Sequence, residues 1–119
     1  MIKTEKENII KTKSFEFSLS IIFLFKKLKE QNEYIISKQL LRSGTSIGAN
    51  IEEAIAGESK KDFVHKMAIA RKEARETKYW LKLLNFSDLV KIDLSNYLSD
   101  IDEIIAILVK IIKSSIRSS

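Results

Sequence analysis

The chain has 119 residues, 45% hydrophobic and 31% charged, with three glycines, no proline and no cysteine. That length fits one domain with one core, and so few turn residues exclude an all-β fold and favour an all-α one. Without cysteine there are no disulfides or thiolate sites, and the net charge of +5, from 21 Lys and Arg against 16 Asp and Glu, permits an anionic partner without demanding one.

The N-terminus, Met1-Ile2-Lys3-Thr4-Glu5-Lys6-Glu7, is charged and lacks the apolar centre of a signal peptide. A frayed tail is expected over about 1–8, and the first helix from about residue 8 or 13 to residue 31. In it Phe17, Ile21, Leu24 and Leu28 recur by four and three, flanked by Phe15, Ile22 and Phe25. The longest apolar run, residues 19–25, is broken by Ser20 and falls far short of the ~20 residues that span a bilayer. A cytoplasmic protein with no membrane contact is therefore expected.

Asn32 and Glu33 read as a short break before a second helix over about 34–56, which Gly57 is expected to close in a left-handed conformation. This helix carries adjacent stripes. Ile36, Leu40, Ser43, Ile47, Asn50 and Ala54 form one; Leu41, Gly44, Gly48, Ile51 and Ile55 form the next. A helix so patterned is covered on more than one side. Glycine inside a helix costs roughly 1 kcal/mol relative to alanine, so Gly44 and Gly48 imply close approach by a neighbour, pointing to tight packing and self-assembly. A third stripe, Arg42, Ser46, Asn50 and Glu53, reads either as a polar seam that fixes helix register or as a pocket for a small ligand or RNA base.

Ser59 looks like the N-cap of a third helix over about 60–84, with Asp62 three residues on. Phe63, Met67, Ala70, Ala74, Thr77, Leu81 and Leu84 form its core stripe. Residues 85–91 read as a turn, with Ser87 or Asp93 capping a last helix over about 93–112. Leu94, Leu98, Ile101, Ile105, Leu108 and Ile112 repeat along that helix, and a frayed tail is expected over about 114–119. Four such helices joined by short loops should form an antiparallel up-down-up-down bundle spanning 1–119 as one domain.

The basic excess has an address. Residues 58–86 hold eight basic and four acidic groups, and residues 87–112 hold two and five. On the third helix Lys61, Arg71, Lys72, Arg75, Lys78 and Lys82 fall on one flank; Ile69, Trp80 and Leu83 share the other with Glu73 and Glu76. The cationic flank reads as a phosphate-tracking strip or as a solvated face paired to the acidic fourth helix. The apolar flank reads as a subunit contact or as packing within the bundle, with Trp80 as its anchor.

Nothing assembles a catalytic centre. His65 is the lone histidine and lies opposite the core stripe; no Glu-x-x-His pair marks a di-iron site. Glu52, Glu53, Glu73 and Glu76 lack nitrogen ligands for a metal. Ser43, Thr45 and Ser46 have no nearby histidine, and Gly44-Thr45-Ser46-Ile47-Gly48 lacks the Gly-Lys-Ser/Thr ending of a phosphate loop. No catalytic residue, cofactor or metal is expected.

The run Gln39-Leu40-x-Arg42-Ser43-x-x-Ser46-Ile47-x-x-Asn50-Ile51-x-Glu53-Ala54 resembles the signature of a bacterial four-helix-bundle family, proteins encoded in intervening sequences of large-subunit ribosomal RNA genes. Lys13-Ser14-Phe15-x-Phe17 is similar to its first helix, and Lys61-x-Phe63 with Ala74-x-Glu76-Thr77-x-x-Trp80-Leu81 to its third. The chain departs from the pattern at Ala54-Ile55-Ala56-Gly57-Glu58, where many members have Glu-Gly or an Arg-rich turn. The resemblance implies a ring-like homopentamer. It also brings in a relative, the accessory protein of diversity-generating retroelements, which associates with a reverse transcriptase and nucleic acid. The expectation is a non-enzymatic, homo-oligomeric protein binding RNA or DNA electrostatically; the alternative is a scaffold for a protein partner such as a reverse transcriptase.

Overall fold

The computed structural model describes residues 4–117, and among these it contains four helices and no strand. They are α1 (Glu5–Glu30), α2 (Ile36–Ala56), α3 (Lys60–Ser87) and α4 (Ser95–Arg117). The bundle measures 47 × 20 × 20 Å. α2 packs on α1 and α3, and α4 packs on α3 and α1, so that α1 and α3 occupy opposite corners, as do α2 and α4. Cross-helix pairs run in opposite senses along neighbouring helices: Lys11 with Glu52, Ser43 with Thr77, Lys78 with Asp102. The helices are therefore antiparallel, as their short connections require.

Local signals set the helix ends. α1 begins at Glu5, earlier than residue 8 or 13, because Thr4 and Glu7 form a reciprocal cap. Thr4 Oγ1 accepts from the Glu7 amide at 3.1 Å and the Glu7 carboxylate accepts from the Thr4 amide at 3.1 Å. Residues 5–8 are thus helical rather than a frayed tail, and residues 1–3 lie outside the described residues. Asn32 makes the break after α1 with a left-handed φ of 63°. Glu33 then serves α2, its carboxylate accepting from the amides of Ile35, Ile36 and Ser37, where negative charge suits the positive end of the helix dipole.

Gly57 is not left-handed. Its φ of −65° and ψ of 154° are extended, because the chain must run straight on to Ser59, whose hydroxyl caps α3 by accepting from the Asp62 amide. The left-handed terminator belongs instead to Asp88, at φ 57°, after α3 has continued three residues beyond Leu84. Asp93, rather than Ser87, meets the start of α4, its carboxylate accepting from the amide and the hydroxyl of Ser95. α4 persists to Arg117, so residues 114–117 are helical where fraying was expected; residues 118–119 lie outside the described residues.

The core is built on the stripes read from the sequence and extended by Ile10, Ile104 and Ile111, but Ile36, Leu41, Phe63, Leu98 and Ile105 are only partly buried against it and Asn50 is half-exposed. Gly44 and Gly48 are buried, and the neighbour that approaches them is α1 of the same chain. A Cβ at Gly44 would stand 3.0 Å from both Cγ atoms of Ile21; one at Gly48 would stand 3.4 Å from the Ser14 carbonyl oxygen. Small size at Gly44 thus serves packing within the protomer, whereas a methyl at Gly48 would make an ordinary contact. Lys13 bridges from α1 to Glu103 of α4, and that carboxylate holds the ammonium's pKa above the ordinary lysine range. At the other end, the Gln31 side chain donates to the Lys91 carbonyl and accepts from the Lys91 amide, tying α1 to the α3–α4 connection.

Candidate nucleic-acid interface

α3 carries different chemistry on its two flanks because each faces a different neighbour. The flank with Glu73, Glu76 and Trp80 lies beside α2. Arg42 reaches across to both carboxylates, donating to Glu73 at 3.1 Å and also to Glu76. Glu76 also accepts from the Trp80 indole at 3.1 Å. Trp80 is half-buried and packs against the core of its own chain; Ile69 and Leu83, named with it as a candidate subunit contact, are partly exposed.

Only one member of the third stripe on α2 builds a crossing seam. Arg42 spans to α3, but Ser46 donates to the Arg42 carbonyl and Asn50 to the Ser46 carbonyl within their own helix, while Glu53 points to solvent. The buried polar link between α2 and α3 is instead the hydroxyl pair Ser43 and Thr77, 2.9 Å apart and fully enclosed. Both sit at core positions of their stripes, where sequence pattern flagged burial but not their pairing.

The other flank of α3 faces α4. Of its six cations, Lys78 is engaged by Asp102 at 2.6 Å. Among the described residues, Lys61, Arg71, Lys72, Arg75 and Lys82 have no carboxylate within ion-pairing distance; Arg71 is half-buried and the others are exposed. From Lys61 to Lys82 the row covers about 31 Å of helix at 1.5 Å per residue.

Charge along α4 extends this row in a way that counting by segment hid. Its carboxylates Asp100, Asp102 and Glu103 lie in the first half, while Lys110, Lys113 and Arg117 lie in the second. Antiparallel packing sets that basic end beside the start of α3, where Lys60, Lys61, Val64, Ser115 and Ile116 line one groove. Splitting the helix at its middle would have revealed it.

A separate apolar surface covers α1. Phe15 is 62% exposed, and Leu19 and Ile22 stand with it over a groove floored by Thr45, Gly48 and Ala49 of α2. The carboxylates considered together as metal ligands do not meet: Glu73 and Glu76 are held by Arg42, Glu52 lies 3.7 Å from Lys11, and Glu53 is exposed. His65 is exposed. Among the described residues no helix is long and apolar enough to cross a membrane.

The family model described as 23S rRNA-intervening sequence protein matches residues 6–110, reaching into all four helices. The chain belongs to this family. A crystal structure described as a protein of unknown function from the S23 ribosomal protein family of Bacteroides thetaiotaomicron is 48% identical to this family member. The match covers 91% of this chain and 98% of that one, with a TM-score of 0.87. No curated protein matches the chain.

Proposed function

We propose that this family member is a non-enzymatic, homo-oligomeric protein that binds nucleic acid electrostatically through α3. The observation that carries the reading is the row Lys61, Arg71, Lys72, Arg75 and Lys82, which has no carboxylate to neutralise it among the described residues. Four cations enter ion pairs, Lys11, Lys13 and Arg42 outside the row and Lys78 within it. An unneutralised row this long repels itself, and a polyphosphate relieves that repulsion by giving up its counterions to solvent. Neither flank presents a recognition helix with base-reading side chains, so binding is sequence-tolerant and steeply salt-dependent.

Assembly is the second part of the proposal, as a ring-like homopentamer on the family resemblance. The exposed Phe15, Leu19 and Ile22 on α1 support it, since an apolar face of this kind is normally covered. Several copies would multiply a modest charge per protomer into avidity for one polymer. A non-enzymatic role is supported by the use of Glu73 and Glu76 as structural partners of Arg42.

The test is a charge-reversed variant, Arg71→Glu with Arg75→Glu and Lys82→Glu, titrated with RNA and DNA at low salt and checked for mass by light scattering. Loss of binding with mass unchanged is expected. Binding equal to wild type, or none by the wild-type protein, overturns the nucleic-acid reading and leaves a scaffold for a protein partner such as a reverse transcriptase.

A further inference from the structure

The outermost stripe of α3 has a composition that electrostatics alone does not account for. Positions 61, 65, 68, 72, 75, 79, 82 and 86 recur by four and three and therefore share one face. They read Lys61, His65, Ala68, Lys72, Arg75, Tyr79, Lys82 and Phe86, all exposed except the partly buried Ala68. Over its last three turns or so cation and aromatic alternate: Arg75, Tyr79, Lys82, Phe86. Tyr79 is 57% and Phe86 76% exposed, so neither ring serves the bundle's own core.

Resting on the nucleic-acid reading above, we infer that this stripe binds a single-stranded polynucleotide, Tyr79 and Phe86 stacking on unpaired bases while Lys72, Arg75 and Lys82 neutralise the phosphates between them. Sequence-tolerant binding of single strands combines these two elements, a cationic track and aromatic faces, because every base has a π-face to stack. A duplex keeps its bases inside and offers the stripe only its phosphates. Neither stacking nor phosphate neutralisation asks for a 2′-hydroxyl, so RNA and DNA strands are bound alike.

Spacing and bracing agree with this use. Tyr79 and Phe86 are two turns apart, about 10 Å along the axis, too far for one base to touch both. A stacked strand rises about 3.4 Å per nucleotide, which leaves about two nucleotides between the stacked ones. Tyr79 is also held in place. Its ring meets Trp80 edge-on with centroids 5.3 Å apart at 66°, Trp80 donates to Glu76, and Glu76 is gripped by Arg42 from α2. Ordering the ring in advance reduces what binding must immobilise.

The experiment uses the full-length chain, the variants Tyr79→Ala, Phe86→Ala and their combination, and the bulk-preserving pair Tyr79→Leu with Phe86→Leu. Probes are an oligouridylate and an oligothymidylate of about 12 nucleotides, within the site sizes of single-strand binders, and an RNA duplex of equal length. Each lost stack should weaken single-strand binding by about tenfold, the double variants by more, with duplex affinity changed less than about twofold. Emission from Trp80, the chain's one tryptophan, should change when the wild-type protein takes up oligouridylate and not when the double variants do. Equal losses for single strand and duplex, no loss at all, or a fall in oligomer mass with the rings removed (placing them in a subunit contact) would overturn the inference. Wild-type protein that binds duplex and single strand equally sinks this inference while sparing the broader reading; wild-type protein that binds neither sinks both.

Discussion

Ser43 of α2 and Thr77 of α3 face one another inside the bundle, their hydroxyl oxygens 2.9 Å apart and both side chains fully enclosed. Thr77 also donates to the Glu73 carbonyl at 2.8 Å, so that the pair is satisfied without water. Polar groups enclosed in this way are stable only together. Thr77→Val keeps the shape and strands Ser43, which should cost roughly 1–3 kcal/mol in urea unfolding. Adding Ser43→Ala should cost less than the sum of the single changes, and a double-mutant cycle measures the difference. Strict additivity would show that the two hydroxyls do not interact.

The two glycines of α2 should respond differently to alanine. At Gly44 the new methyl meets Ile21, branched and wholly buried, with no room to retreat. Overpacking costs about 1–3 kcal/mol and outweighs the roughly 1 kcal/mol gained in helix propensity. At Gly48 the added methyl makes a 3.4 Å contact that α1 already tolerates in shape, so Gly48→Ala should be neutral or stabilising by up to about 1 kcal/mol. Denaturant midpoints of the two variants would rank them, and the reverse order would contradict the packing described.

On the proposed nucleic-acid reading, Asp102 would compete with phosphate for Lys78. Their pair is solvent-exposed and contributes at most about 1 kcal/mol to stability. Asp102→Asn should leave the melting temperature nearly unchanged, raise affinity for oligouridylate severalfold and steepen the log–log salt dependence by roughly 0.7. Unchanged affinity would place Lys78 outside the binding row.

Asp93 supplies a pH signature. The Ser95 amide and then its hydroxyl hold the Asp93 carboxyl below the ordinary aspartate range. A depressed folded value means the unfolded chain takes up the proton first as pH falls. The contribution is therefore complete above about pH 5, starts to fade near the unfolded value of about 3.9, and is lost below the folded one. Stability of wild type and Asp93→Asn compared from pH 7 to pH 2 should differ at the upper end and converge at the lower. Parallel curves would contradict the cap.

Sequence pattern alone reached the four helices and most of the core, because the four-three spacing of Phe17, Ile21, Leu24 and Leu28 and its counterparts admits one period. It missed helix ends where the deciding group is a side chain rather than a breaker. Thr4 and Glu7 lie in a charged tail, and Glu33 lies in a turn, although its carboxylate caps α2. Gly57 shows the limit of reading a glycine by residue type, since the three-residue connection to α3 dictates its conformation. For the candidate interface, the cationic row on α3 was legible from helical geometry. Which cations stay unpaired was not, because Asp102 becomes the neighbour of Lys78 only when α4 folds back. Tyr79 and Phe86 carry no signal in the sequence pattern, since they fall outside the core stripe and bear no charge.

The diagonal placement of α1 and α3 has a geometric outcome. Phe15, Leu19 and Ile22 look out over the face shared by α1 and α2, while Lys72, Arg75 and Tyr79 look out from α3. Copies that hid this apolar face against a companion would leave the cationic stripe of α3 turned away from that contact, open to the polymer proposed to bind there.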